Sequence, residues 1–279
     1  MKKITAQNSS KGRIIAVGAA IAMVTLAFVV YGLAVILSRL DAIYERQCCV
    51  TNAGEQVEIV AGRILPARLF INHFNLTNGV NLAQVPFAAL RERLIRDMPN
   101  IRDIKIVRTV PDKVRIEVAE RVPIVRVIGA GSKANPNYTA DSEGNVFWYP
   151  RRDTTLLPII REAKKDTSTA GAKLSGMAMA ALRLLEEASD PEFAILKIQE
   201  VDTFKQDYLF ATLGDSSRAK IAWEDMDSHT RASRESLRRQ LTRLSQAMKS
   251  NVASGTKLWN ATDWGVPGRI YANDPTKAE

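Results

Sequence analysis

Asp103-Ile104-Lys105-Ile106-Val107-Arg108-Thr109-Val110-Pro111-Asp112-Lys113-Val114-Arg115-Ile116-Glu117-Val118-Ala119 is the stretch that decides the fold class. Ile104 and Ile106 alternate with Asp103, Lys105 and Val107, and Val114, Ile116 and Val118 alternate with Lys113, Arg115, Glu117 and Ala119. A period of two belongs to a half-buried strand, so the stretch predicts two strands, each with one apolar face. Pro111-Asp112 between them is a turn signal, because proline presets φ and aspartate bonds its own backbone.

Upstream, Pro86 opens a helix in which Phe87, Leu90, Leu94 and Met98 are spaced by three and four. Glu92 and Arg96 should pair on its outer face, and Pro99 ends it. Residues 79–85 read as a loop, residues 65–74 as one or two helical turns begun at Pro66, and Val57, Ile59 and Ala61 as a short strand stopped by Gly62. Strand, helix, loop, helix, strand, strand over residues 56–126 is a compact α+β unit. Its three strands present one apolar face and its two helices cover it.

Downstream, Tyr138-Thr139-Ala140, the turn 141–145 and Val146-Phe147-Trp148-Tyr149 predict a hairpin. A helix over 176–188 carries Met177, Ala181, Leu184 and Leu185 on one side, and residues 195–201, 208–213 and 219–223 read as strands. A longer helix over 230–249 is striped by Leu237, Leu241, Leu244 and Met248. A last strand near 269–272 precedes a fraying tail, so residues 127–279 predict a mixed, mostly antiparallel β domain with helices.

Ahead of both units, Ile14 to Leu37 is a charge-free apolar run preceded by Lys2, Lys3, Lys11 and Arg13, while Arg39 and Asp41 cancel after it. As a helix it measures about 36 Å, against a hydrocarbon core of ~30 Å. A cleaved leader would have an apolar core of ~7–15 residues ending in small residues. Here the run ends in Val35-Ile36-Leu37-Ser38-Arg39-Leu40, which marks a retained transmembrane helix over 14–37. The basic flank assigns residues 1–13 to the cytoplasm and the rest to the far side, with 38–55 as a polar stalk.

The net charge of +9 divides unevenly: the first 40 residues hold five basic residues and no acidic ones, and the remainder holds 34 basic against 30 acidic. The exported part is thus close to balanced, which excludes a nucleic-acid footprint. Cys48 and Cys49 are adjacent, and neighbouring Cα atoms sit closer than a relaxed disulfide prefers, so they read as incidental thiols or as sites of an interchain bridge or acylation. His73, between Phe70 and Phe74, reads as a packed surface residue and His229 falls in no motif. Glu143 belongs to a turn. No spacing for a metal, a phosphate loop or an activated nucleophile stands out, so no enzyme activity and no cofactor are expected. Arg231, Arg234, Arg238, Arg239, Arg243 and Lys249 share a helix with a single acid, Glu235, and suit a solvated face or contact with anionic lipid or an acidic partner.

Several of these residues carry a resemblance. Gly79-Val80-Asn81-Leu82, Met98-Pro99-Asn100-Ile101, Ile106-Val107-Arg108, Pro111 and Ile116-Glu117-Val118-Ala119-Glu120-Arg121-Val122-Pro123 resemble, in order and spacing, a POTRA domain of the bacterial FtsQ/DivIB cell-division family. Asp141-x-Glu143-Gly144-x-Val146-Phe147 is similar to the hairpin opening that family's β domain, and Leu157-Pro158 sits where the family has a Leu-Pro pair. The closing Trp259-Asn260-Ala261-Thr262-Asp263-Trp264-Gly265 departs from the family pattern, sharing mainly the Asp. The resemblance implies a non-enzymatic, single-span scaffold of the division machinery in the inner membrane at the septum. It implies periplasmic domains that recruit an FtsB/FtsL-like coiled-coil pair. A POTRA-bearing module of outer-membrane assembly or secretion is the alternative, against which stands the lack of a barrel-like pattern after it. An anchored wall hydrolase has no residue set to support it.

By the same resemblance, the partner should bind the closing strands, with Trp259, Trp264, Arg269, Ile270 and Tyr271 as candidate contacts. Trp, Tyr and Arg dominate interface energetics, and a free strand edge accepts a partner through backbone hydrogen bonds. Pro267 interrupts pairing at its own position, so the usable edge should begin after it, over 268–272. Each ring could instead fill the domain's own core.

The topology is tested on spheroplasts: added protease should degrade the bulk of the chain, and full protection refutes the assigned orientation.

Overall fold

The computed structural model describes residues 23–40, 43, 47–109, 112–129, 138–150, 152, 154–162, 169–174, 176–250, 256–263 and 270–272. The expected cytoplasmic tail, residues 14–22 of the expected span and the fraying tail lie outside these residues. Helix α1, Met23–Leu40, has a mean hydropathy of 2.1, none of it is buried against protein, and it is long and apolar enough to cross a membrane.

The rest of the chain forms two compact units, the described residues up to Arg91 with Lys105–Val118, and Glu92–Ile104 with the described residues from Ala119 onward. The fold is mixed α+β. In chain order the first elements are α2 (Ala53–Gln56), β1 (Val57–Val60), α3 (Ala67–Phe74), α4 (Phe87–Asp97), β2 (Ile101–Thr109) and β3 (Lys113–Glu120). Strands β1, β3 and β2 make a three-stranded sheet in that order, with β1 parallel to β3. Val114, Ile116 and Val118 are buried as their alternation predicts. Pro66 stands just before α3, and Asn75, at φ 51°, closes it in the left-handed region. Phe74 meets the Phe87 ring at 5.9 Å.

Three local expectations change. The segment expected to be stalk is folded from Cys48 onward: Cys48 and Val50 are buried, and backbone bonds join Val50 to Gly79 and Val80, and Leu82 to Cys48. Gly79, at φ 90°, makes that turn possible, and the Gln56 side-chain oxygen accepts from the Thr51 and Asn52 amides at 2.7 Å each. On β2 the buried positions are Ile101 and Ile104, three apart, while Ile106 is half-buried. The Ile104 amide donates to the Asp103 side chain at 2.8 Å, on a strand at the sheet's edge. On α4 the ion pair is Arg93–Asp97 at 3.4 Å.

The larger unit holds β4 (Val125–Gly129), β5 (Tyr138–Ala140), β6 (Val146–Trp148), β7 (Ile159–Glu162), α5 (Gly176–Ala188), β8 (Glu200–Asp202), β9 (Leu209–Thr212), β10 (Arg218–Ile221), α6 (Arg231–Ser250), β11 (Leu258–Ala261) and β12 (Tyr271–Ala272). The nine strands form one sheet in the order β12-β11-β10-β9-β8-β7-β4-β5-β6. Pairs β11–β10, β8–β7 and β7–β4 are parallel and the other five antiparallel. Residues 195–199 are not strand. A 3₁₀ turn at Pro191–Phe193, capped by Asp190 on the Glu192 amide, buries Phe193. Lys197, at φ 40°, breaks any extended run before Glu200. Its side chain lies so close to Gly214 that a Cβ there would come within 2.6 Å.

Helix α5 is buried on more than one side, with Ala178, Ala180, Ala181, Leu182, Leu184 and Leu185 all in the core. The expected stripe of α6 is buried in full, joined by Ser233, Ser236, Gln240 and Ser245. Thr230 caps α6 through its hydroxyl on the Ser233 amide. Three of the five arginines of α6 find acids within the chain. Glu187, with a side chain 6% exposed, accepts from Arg234 at 2.7 Å and from Arg238 at 2.6 Å. Arg238 also reaches Asp190 and Glu192 and lies over the Phe193 ring, while Arg231 pairs with Glu235 one turn on. Arg234 and Arg238 therefore clamp α6 to the end of α5 and the turn that follows it.

The β5–β6 turn is organised by Asp141. Its carboxylate accepts from the Glu143 amide, the Asn145 amide and side chain, and Arg121. Burial opposes ionisation, but the bonds from Asn145 and Arg121 outweigh it and hold the carboxyl below the usual carboxylate range. A folded-state pKa below the unfolded one adds stability above the unfolded value, and that share is lost as pH falls through the folded pKa. Asp141→Ala should cost about 2–3 kcal/mol at neutral pH. In melts followed by circular dichroism, the gap to wild type should close on acidification; a pH-independent gap refutes the role.

Candidate functional site

Arg121 is where separate motifs of the sequence meet. Its amide donates to Asn100 O at 2.8 Å, its Nε to Pro99 O at 3.0 Å, and its Nη1 to Asp141 Oδ2 at 2.7 Å. The Asn100 side chain in turn donates to Trp148 O at 2.5 Å. The Arg121 and Asp141 side chains are 16% and 10% exposed, so the pair lies largely out of water, with Glu143 at 4.0 Å on its wetter side. Glu143, read as a turn residue, also pairs with Arg102.

The register of the nine-stranded sheet sorts its residues onto two faces. Val127, Ile160, Val201, Ala211, Ala219 and Trp259 follow one another across β4, β7, β8, β9, β10 and β11 and are all buried. They belong to the core cluster that holds the apolar residues of α5 and α6. Displaced by one residue, and so on the opposite face, runs Ile128, Arg161, Asp202, Phe210, Lys220 and Asn260. Two residues away on that face, Glu200 stands beside Thr212, which stands beside Arg218.

This second face is a charge ladder. Arg161 grips Glu200 through Nε and Nη2, Arg218 meets Asp202 at 2.9 Å and stacks on Phe210, and Lys220 lies 4.6 Å from the Tyr208 ring centre. Burial and the neighbouring Glu200 push the Asp202 carboxyl up, with Arg218 and Arg161 opposing, and the bond to Glu200 pushes the Arg161 guanidinium up. The pattern was open to a sequence reading: Glu200 and Asp202 are spaced by two, as are Arg218 and Lys220, with opposite signs on different strands.

The sheet's two ends differ. At β6, Val146 exchanges backbone bonds with Gly171 and Ala172, and Asn145 bridges to Lys173, so residues 171–174 cover that edge. At the other end β12 pairs only with β11 among the described residues, through Trp259↔Ala272 and Asn260↔Tyr271.

The candidate contacts are thus dispersed. Trp259 is 3% exposed within the core, so its ring offers no surface to a partner. Ile270 is half-buried against the same core, Tyr271 lies on β12, and Trp264 and Arg269 fall outside the described residues. His73 packs edge-on against Phe74, with Nε2 3.4 Å from Leu90 O. Among the described residues no group of three or more His, Cys, Asp or Glu could hold a metal. No family model matches this chain, and no curated protein matches it either.

Trp259 Nε1 is buried without a hydrogen-bond partner among the described residues. Trp259→Ala should therefore cost about 3–5 kcal/mol through the cavity it leaves. Trp259→Phe should cost clearly less, because it also removes an unsatisfied donor. Thermal melts of the two variants check the order; equal losses refute the core assignment.

Proposed function

We propose that this chain is a non-enzymatic, single-span scaffold of the bacterial division machinery, of the FtsQ/DivIB type. In this reading the N-terminus is cytoplasmic, the folded units are periplasmic, and the site of action is the septum of the inner membrane. The observation that carries it is the convergence on Arg121. Met98-Pro99-Asn100-Ile101, Glu120-Arg121-Val122-Pro123 and the Asp141 turn are separate parts of the motif set, and their residues bond to one another. A joint of this kind gives a physical reason for that order and spacing of motifs.

Other features support the reading. The order β1-α3-α4-β2-β3 suits a POTRA-like unit, and α1 suits a membrane anchor. Gly79-Val80-Asn81-Leu82 has a structural task, since Gly79 turns the chain and Leu82 is buried. The partner, an FtsB/FtsL-like coiled-coil pair, adds to the β12 edge by backbone hydrogen bonds. That mode asks for no catalytic group and few special side chains.

Depletion followed by microscopy tests the reading. Filamentous, unseptated cells are expected, whereas normal septation with defective outer-membrane proteins assigns the chain to outer-membrane assembly. For the edge, a chain truncated after Asp263 keeps β11 with its buried Trp259 and lacks β12; it should remain folded by circular dichroism yet fail to capture the coiled-coil pair, and undiminished capture by a folded truncation rejects β12 as the site.

A further inference from the structure

On the outer face of the nine-stranded sheet, Arg126, Ile159, Glu200 and Thr212 stand side by side on β4, β7, β8 and β9. They floor a groove of about 510 Å³ whose walls are residues 155–158 and 197–199. Three strand spacings make the floor about 14 Å long, the reach of about four extended residues. The backbone around it is already engaged. The Ile159 amide donates to Gln199 O at 2.9 Å, the Gln199 amide to Thr212 O at 2.9 Å, and the Arg126 amide to Pro158 O at 2.8 Å. A ligand in this groove is therefore held by side chains and not by strand addition.

Lys197 is the unusual member of the lining. Its backbone sits at φ 40°, in the left-handed region where glycine or asparagine is accommodated more easily. Its stem lies flush against Gly214, where a Cβ would meet the Lys197 Cβ at 2.6 Å and its Cδ at 3.2 Å. Strained backbone of this kind concentrates where a side chain has to be held for a ligand. Lys197 is exposed, and among the described residues its ammonium has no ion pair or hydrogen bond.

The groove does not neutralise that charge itself. Glu200, the one acid among the described lining residues, is spent, since both of its oxygens accept from Arg161. Arg126 in the floor, its Nε held on Leu157 O at 3.2 Å, adds to the positive field. Apolar surface lies in the same groove: Leu156 lines it and is 98% exposed, and Ile159 and Ile198 in the lining are half-buried. A small anion on Lys197 would leave Leu156 in water, whereas a peptide laid along the floor covers both.

We propose that this groove docks an acidic polypeptide segment, with an Asp or Glu on the Lys197 ammonium and a bulky apolar side chain against Leu156. Strands β10 and β11 stand between β9 and β12, so this surface is separate from the sheet edge and does not depend on the scaffold reading.

The test selects short random peptides displayed on phage against the full chain in lipid nanodiscs and measures the enriched sequences by fluorescence anisotropy. They should carry Asp or Glu near Leu, Ile, Phe or Met. Lys197→Asn and Lys197→Gly suit the left-handed backbone, so their melting temperatures should equal or exceed that of wild type. Peptide binding to both should nevertheless fall about tenfold or more, as for a lost charge-assisted pair, and replacing the peptide's acid by its amide should have the same effect. Leu156→Ser, at an exposed position, should weaken the same peptides. Failure to enrich any peptide, enrichment without an acidic residue, or binding unchanged by the Lys197 variants or by Leu156→Ser overturns the proposal.

Discussion

The bidentate reach of Arg121 is the constraint on which the larger unit depends. Its guanidinium is largely out of water, where an unpaired charge is costly, and its acceptors come from two distant segments, Pro99 and Asp141. The end of β3, the turn after α4 and the β5–β6 turn must therefore arrive together. Lysine could not substitute, since one ammonium has no planar edge to serve a carbonyl and a carboxylate at fixed angles. Asp141 meets the same demand from the other side, satisfying the donors of its own turn while it holds Arg121. Gly144, at φ 78°, completes that turn, and a Cβ there would come within 2.6 Å of Met179 on α5. One ion pair thus links the turn, the β5–β6 hairpin and the helix that covers the sheet.

From that hairpin the sheet continues with two incompatible faces, and their separation is a matter of register. A slip of one residue on β11 would carry Trp259 into the row of Asp202, Phe210 and Lys220, and Asn260 into the core. The large indole fits where it does beside Ala219, itself next to Ala211. Gln240 on α6 donates to Ala261 O at 2.6 Å and ties this strand to the helix layer. The acids of the outer face also keep their partners only in this register, because Asp202 reaches Arg218 across the intervening β9.

Local periodicity was legible wherever one element buried one face against one layer. The alternation of β3, the limits of α5 and the Leu237-Leu241-Leu244-Met248 stripe of α6 all follow from it. What escaped depends on partners far away in sequence. Cys48 and Val50 look like stalk because their neighbours are polar, and only bonding to residues 79–82 draws them in. Residues 195–201 look continuous as a strand until Lys197 turns against Gly214. The α6 arginines look uncompensated because Glu187, Asp190 and Glu192 lie some fifty positions earlier. Trp259 looks like an interface residue because residue type cannot distinguish an anchor for a partner from a plug for the core.

That last ambiguity bears on how such a chain recognises anything. A ring in the core cannot report on a partner, yet it fixes the position of β11 and hence the line of backbone groups that β12 continues. At the far end residues 171–174 already occupy the ladder of β6, so a strand added there would have to displace them. Recognition through backbone groups then becomes a question of which edge the fold leaves open, and side chains act one step back by fixing the register of the strand beneath. The few side chains that could confer selectivity directly are those with unspent hydrogen-bonding capacity beside exposed apolar surface. Arg234 and Arg238 of α6, engaged by Glu187, do not meet that description.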